Sequence, residues 1–131
     1  MTLHISERDG VPIYLQIVNQ IKLLIASGRL SPTDELPPIR VLAEQLTVNP
    51  NTVARAYREL EIAGIVTKKR TTGTYVSDGA PRLSKDECTR ILAERIDALL
   101  AEARQMDIDT EDILRLIRKR EELMKSEELS A

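Results

Sequence analysis

The chain has 131 residues, a formal net charge of -2, 42% hydrophobic and 31% charged residues, the balance of one globular domain with a small appendage. Aromatic residues make up 2%, three Tyr with no Trp or Phe, which argues against a sugar site or a single-strand stacking platform built on ring faces. The single cysteine, Cys88, rules out an internal disulfide and fits a reducing cytoplasm. No signal pattern opens the chain and no apolar run approaches the ~18 residues of a membrane span, so a cytoplasmic protein without a membrane partner is expected.

The stretch PIYLQIVNQIKLLIASGRL places Tyr14, Ile17, Val18, Ile21, Leu24 and Ile25 at helical spacing. Pro12 suits the first helical position and Gly28 the residue past the end. A Pro- and Asp-rich turn follows. After Pro37 and Pro38 comes a short second helix with Ile39, Leu42, Ala43 and Leu46 on its inner face. A third helix begins at VNPNTV, with Asn49 as N-cap and Pro50 in the first position. Val53, Ala56, Tyr57 and Leu60 form its buried stripe, and Gly64 is placed to end it in a left-handed conformation. Only Thr47 to Asn49 separate the second and third helices, so the crossing must be sharp: a helix-turn-helix.

After Gly64, IVTKK and TYVS are β-prone runs separated by RTTG, the signal of a hairpin. Three helices and a basic-tipped hairpin outline a winged helix-turn-helix, assigned to residues 1–77. Residues 78–83 read as a linker. Over 84–131, Ser84 and Glu87 fit a capping box that opens a long helix, and Asp109 caps a last one, with Ile108 and Ile113 as a hydrophobic staple. The fold class expected is therefore mainly α with a small β-hairpin wing, ending in a two-helix dimerisation hairpin. Two amphipathic helices cannot close a core alone. A second copy of the chain is the favoured cover, with Ile91, Leu92, Ile96, Leu99, Ile113, Leu114 and Ile117 as the candidate interface.

Charge is distributed unevenly. Residues 36–76 carry six Arg or Lys (Arg40, Arg55, Arg58, Lys68, Lys69, Arg70) against three Glu (Glu44, Glu59, Glu61), while residues 81–131 carry ten basic and thirteen acidic side chains. The cations sit on the helix-turn-helix and the wing. A helix start offers backbone N–H groups and a partial positive charge to phosphates. Asn49, Asn51 and Thr52 add short polar side chains there, and Asn can pair with adenine.

The segment ELPPIRVLAEQLTVNPNTVARAYRELEIAGIVTKKRTTGTYV resembles the DNA-binding domain of GntR-type bacterial transcription regulators. The shared pattern is Leu-Pro-x-x-Arg-x-Leu-Ala, then Val-x-x-x-Thr-Val, Leu-x-x-x-Gly-Ile-Val and a Gly-Thr-Tyr-Val wing end, over roughly residues 10–77. The Asn-Pro-Asn-Thr-Val form and the two-helix tail are similar to the YtrA-like subfamily, whose members dimerise through that tail. The resemblance implies a homodimeric regulator, a repressor, on a two-fold related double-stranded DNA operator. Its contacts would come from Arg40, Asn49, Asn51, Thr52, Arg55, Arg58 and the wing residues Lys68, Lys69, Arg70, Thr71, Thr72 and Gly73. Many relatives carry Arg where this chain has Pro50, so that contact is not carried over.

Plainer readings compete at each position. A cap needs only Asn49 and leaves Asn51 and Thr52 without a role. Arg55 could as readily pair with Glu59 one turn on. Tyr57 and Tyr75 are expected in the core. His4 and Cys88 lack partners at ligand spacing, so no metal or cofactor is expected, and no nucleophile–base pair suggests an enzyme. A small-molecule effector stays open, although residues 84–131 show no polar set to line a pocket. The competing class is a protein–protein adaptor that uses the winged-helix surface and the acidic tail.

Overall fold

The computed structural model describes residues 1–7, 10–69 and 73–130, with residues 127–130 described by backbone alone. The chain divides into two units, Met1–Asp86 and Glu87–Ala131.

In the first unit, α1 (Ile13–Ala26), α2 (Ile39–Leu46) and α3 (Pro50–Ile62) precede an antiparallel pair, β1 (Val66–Lys69) and β2 (Gly73–Val76). Pro12 and Pro38 each occupy the N-cap rather than the first helical residue, with extended ψ of 142° and 147°. The core joins Ile17, Ile21, Leu36, Leu42, Val53, Leu60, Val66 and Val76, each essentially closed to solvent. Stripes from three helices and the inner face of the hairpin thus meet in one apolar centre.

The N-terminal segment, for which the sequence carried no expectation, is strapped along α1 by two glutamines one turn apart. His4 N–H donates to Gln20 Oε1 (2.8 Å) and Gln20 Nε2 donates to His4 O (2.6 Å). Gln16 repeats the clamp on Ser6, at 2.8 and 2.7 Å. A primary amide presents one acceptor and two donors, so each clamp mimics a strand-like pairing. The strap carries Leu3 into the core.

Residues 33–36 back the hairpin from its other side. Val76 N–H donates to Asp34 O and Leu36 N–H to Thr74 O, both at 2.8 Å. Glu35 forms a bridge to Tyr75. Residues 78–83 also belong to this unit: Leu83 N–H donates to Ala26 O at 2.7 Å, and Arg82 packs over Gly28.

The turn of the helix-turn-helix is built by backbone geometry. Thr47 lies in the left-handed region at φ 56°. Its N–H reaches Glu44 O (3.3 Å) and Val48 N–H reaches Ala43 O (3.0 Å), the paired bonds that close a Schellman end. A β-branched residue at positive φ is strained by roughly 1–2 kcal/mol, partly offset against glycine by the roughly 0.5–1 kcal/mol that glycine loses in chain entropy. Thr47→Gly is therefore expected to raise stability, by at most about 1.5 kcal/mol; a urea unfolding curve checks it, and a loss would contradict the strain.

Tyr57 ties α3 to the start of α2. Its ring is 5% exposed and its hydroxyl donates to Pro37 O at 2.7 Å. Burial raises its pKa well above the ordinary 10.0, so the phenol stays a neutral donor. The folded state holds this proton more tightly than the unfolded chain does. The stabilisation is complete below pH 10 and is lost as pH climbs past the unfolded value toward the folded one. Tyr57→Phe should cost about 1 kcal/mol at neutral pH, and the gap should narrow above pH 10 when both proteins are unfolded by urea across that range.

In the second unit, α4 (Lys85–Gln105) and α5 (Thr110–Ser130) are joined by a tight turn. Asp107 at φ 58° and the bonds Ile108 N–H to Ala103 O (2.9 Å) and Asp107 N–H to Arg104 O (3.1 Å) close α4. Asp109 caps α5 by accepting from Asp112 N–H at 2.9 Å. Ala103 and Ile113, flanking the turn, are buried. Among the described residues, α4 and α5 make no extended contact along their lengths. Their apolar side chains face solvent instead: Leu92 is 57% exposed, Ile96 51% and Ile117 48%.

Candidate nucleic-acid interface

α3 presents one face to the core and the opposite face outward. Val53, Ala56, Tyr57 and Leu60 are buried, while Asn51, Arg55 and Arg58 are exposed. Positions four and three apart on a helix share a face, so these three side chains form a single polar strip beginning at the helix start. Thr52 lies half-buried beside it.

Asn49 is the N-cap, its Oδ1 accepting from Asn51 N–H at 2.8 Å. This corrects one expectation. The start of α3 does not offer a set of free backbone N–H groups, because Pro50 has none, Asn51 N–H is held by the cap, and Thr52 N–H donates to Asn49 O at 2.9 Å. The partial positive charge of the helix remains, but hydrogen bonding to a ligand falls on the side chains. Asn49 keeps its amide NH₂ group and the second lone pair of Oδ1 for that purpose.

Arg40 is exposed in the first turn of α2. It shares a shallow depression with Glu44, Thr47, Val48, Asn49 and Pro50. The cation at one end of the helix-turn-helix and the cap of α3 therefore border the same concavity. Among the described residues, Arg40, Arg55 and Arg58 form no ion pair with a carboxylate. Three guanidinium groups without a carboxylate partner on α2 and α3 make a surface suited to a polyanion.

Arg55 is not paired with Glu59. Its guanidinium carbon lies 3.8 Å from the centroid of the Tyr14 ring, on α1. The wing repeats the arrangement. Lys69 stands opposite Gly73 in the hairpin register, and its Nζ lies 4.8 Å from the centroid of the Tyr75 ring. Lys69 and Tyr75 are diagonal neighbours on one sheet face, and Gly73 has no side chain to separate them. Tyr75, expected in the core, is instead half-buried with a cation over its ring. Lys68 is exposed, and Gly73 opens β2 at φ 123°. Arg70, Thr71 and Thr72, also named from the sequence, lie outside the described residues.

Sequence reasoning missed Tyr14 and misplaced Tyr75. In a chain with three aromatic residues, a tyrosine within reach of each cationic element was the available signal. Among the described residues no cluster of His, Cys, Asp and Glu is placed to hold a metal ion, and no helix is long and apolar enough to cross a membrane.

Residues 13–76, from α1 through β2, match the bacterial regulatory proteins of the gntR family. The chain is 36% identical over 111 residues to the HTH-type transcriptional repressor YtrA of Bacillus subtilis, a match covering 85% of each protein. The chain belongs to the GntR family. The alignment takes in the helical tail as well as the winged helix, which places this member beside the YtrA-like regulators. A GntR family regulator from Listeria monocytogenes has the same fold, at 34% identity and a TM-score of 0.55 over 85% of this chain and 96% of that one. YtrA from Sulfolobus acidocaldarius, a GntR-family transcription factor, matches at 35% identity with a TM-score of 0.56, over 75% of this chain and 99% of that one. This GntR protein is accordingly a transcription regulator with a DNA-binding winged helix, and its relatives are regulators rather than enzymes.

Proposed function

We propose that the protein is a homodimeric repressor that binds a two-fold related DNA operator, reading bases with the start of α3 and holding phosphates with α2 and the wing. The observation that carries this reading is the outward strip Asn51–Arg55–Arg58 on α3, which together with the exposed Arg40 and Lys69 is free of carboxylate partners among the described residues. Asn51 supplies base recognition, and the cations supply sequence-independent attraction. The repressor role follows that of the Bacillus relative, a transcriptional repressor.

The dimer assignment rests on the second unit. Residues 84–131 expose Leu92, Ile96, Leu99, Leu114 and Ile117, more apolar surface than a pair of isolated helices sustains in water. A second copy covers both faces at once, and two-fold symmetry then gives two recognition helices for two half-sites. Ile113 is withdrawn from this set, because at 6% exposure it is already enclosed in the single chain.

Binding to a duplex of arbitrary sequence, followed across a salt series, tests the reading. Affinity should fall steeply as salt rises, and Arg40→Ala should lessen that slope by about one counterion per subunit. An adaptor that uses the same surface for a protein would show no salt-dependent duplex binding and would tolerate Arg40→Ala.

A further inference from the structure

Arg55 is exposed in the middle of the recognition strip, where a free arginine would sample many rotamers. Here it has a ring to rest on. Tyr14, two residues into α1, is half-buried and packed against the core, so its ring is a fixed platform. The guanidinium lies 3.8 Å from its centroid, within the range of a cation–π contact. The carboxylate that could compete, Glu59 one turn along α3, makes no ion pair with it.

We propose that Tyr14 is a positioning residue for DNA recognition, holding Arg55 against its ring in one conformation before the duplex arrives. The inference rests on the DNA reading proposed above and goes beyond it by assigning a role to a residue on α1, outside the helix-turn-helix. Ordering a long side chain on binding weakens association, and a contact already formed in the free protein removes that loss. A guanidinium stacked face-on keeps its N–H donors on the edge, away from the ring. Those donors remain available to a phosphate or a base edge. The Lys69–Tyr75 pair at 4.8 Å applies the same device to the wing. Two of the chain's three aromatic residues thus carry a cation of the interface, one on α1 and one in the wing.

Four proteins test the role: Tyr14→Leu, Tyr14→Phe, Arg55→Ala and the double variant Tyr14→Leu with Arg55→Ala. Each is titrated by fluorescence anisotropy against a duplex selected by the wild type, with thermal melts alongside. Tyr14→Phe keeps the ring face and should bind within about twofold of wild type. Tyr14→Leu should bind roughly three- to tenfold more weakly, the range expected for leaving one long side chain to be ordered on binding. Once Arg55→Ala has been made, adding Tyr14→Leu should change nothing further.

The proposal is overturned if Tyr14→Leu binds like wild type. It is equally overturned if Tyr14→Phe is as damaging as Tyr14→Leu, or if Tyr14→Leu costs as much with Arg55 absent as with it present, since a merely structural role would give that result. Should Tyr14→Leu melt below the assay temperature, Tyr14→Met, also ringless, takes its place. Failure of the DNA reading itself shows separately, in a wild-type protein that selects no duplex at all, and it overturns this role as well.

Discussion

Replacing Ile96 and Ile117 with Glu should leave a folded monomer that binds its operator at least about 100-fold more weakly than the wild type. Both residues lie on the tail at 51% and 48% exposure, outside the buried core, so the substitutions remove little packing within the chain. In the dimer proposed here both would bring a charge into an apolar contact, where an unpaired carboxylate is strongly disfavoured. Coupling two half-site readers multiplies affinity by roughly 10²–10⁴ without a new contact to DNA, and this is the factor that monomers forfeit. Sedimentation equilibrium measures the first effect, operator titration the second, and circular dichroism checks that the fold persists. A variant that stays dimeric would place the interface elsewhere. A monomer that binds as tightly as wild type would remove dimerisation from the mechanism.

The second large effect separates two kinds of contact. Asn51 stands first on the outward strip of α3, with its N–H held by the Asn49 cap and its side-chain amide left for a ligand. Asn51→Ala should lower discrimination between the operator and a single-base variant by about 1–3 kcal/mol while leaving non-specific binding nearly unchanged. Lys69 is poised over Tyr75 in the wing. Lys69→Ala should weaken binding to every sequence alike and flatten the salt dependence by about one counterion per subunit. Titrations on matched operator, mutated operator and random duplex at several salt concentrations resolve the two patterns. If both substitutions acted alike on all sequences, the division of labour between helix and wing would be wrong.

Much of the fold is legible in the sequence because it is periodic. The inner stripe Val53, Ala56, Tyr57 and Leu60 repeats at helical spacing and is buried as spaced. Asn49 and Gly64 mark the two ends of α3 through local chemistry, a side-chain acceptor and a freely adopted φ of 76°. The hairpin is legible from β-prone runs around a short polar turn.

What stayed hidden depends on contacts between elements. The clamps of Gln16 and Gln20 on the N-terminal strap leave no period, because side-chain amides can bond any extended backbone within reach. The platform under Lys69 follows from hairpin register, which sets residues six apart in sequence on one face. At the recognition helix, the sequence identifies the cap but not its consequence. Asn49 and Pro50 together remove the backbone donors that a helix start otherwise presents, which shifts recognition onto Asn51, Thr52 and Arg55. Arg55 itself was balanced between Glu59 and a ligand on sequence grounds, and the ring of Tyr14 is what the geometry adds.

Selection from randomised duplex DNA by the purified protein at near-physiological salt tests the central claim most directly. The account predicts enrichment of an inverted repeat with a fixed separation between half-sites, the imprint of two α3 helices related by a dimer axis. A folded, dimeric protein that enriches no sequence, or one that enriches a lone half-site without symmetry, would contradict it.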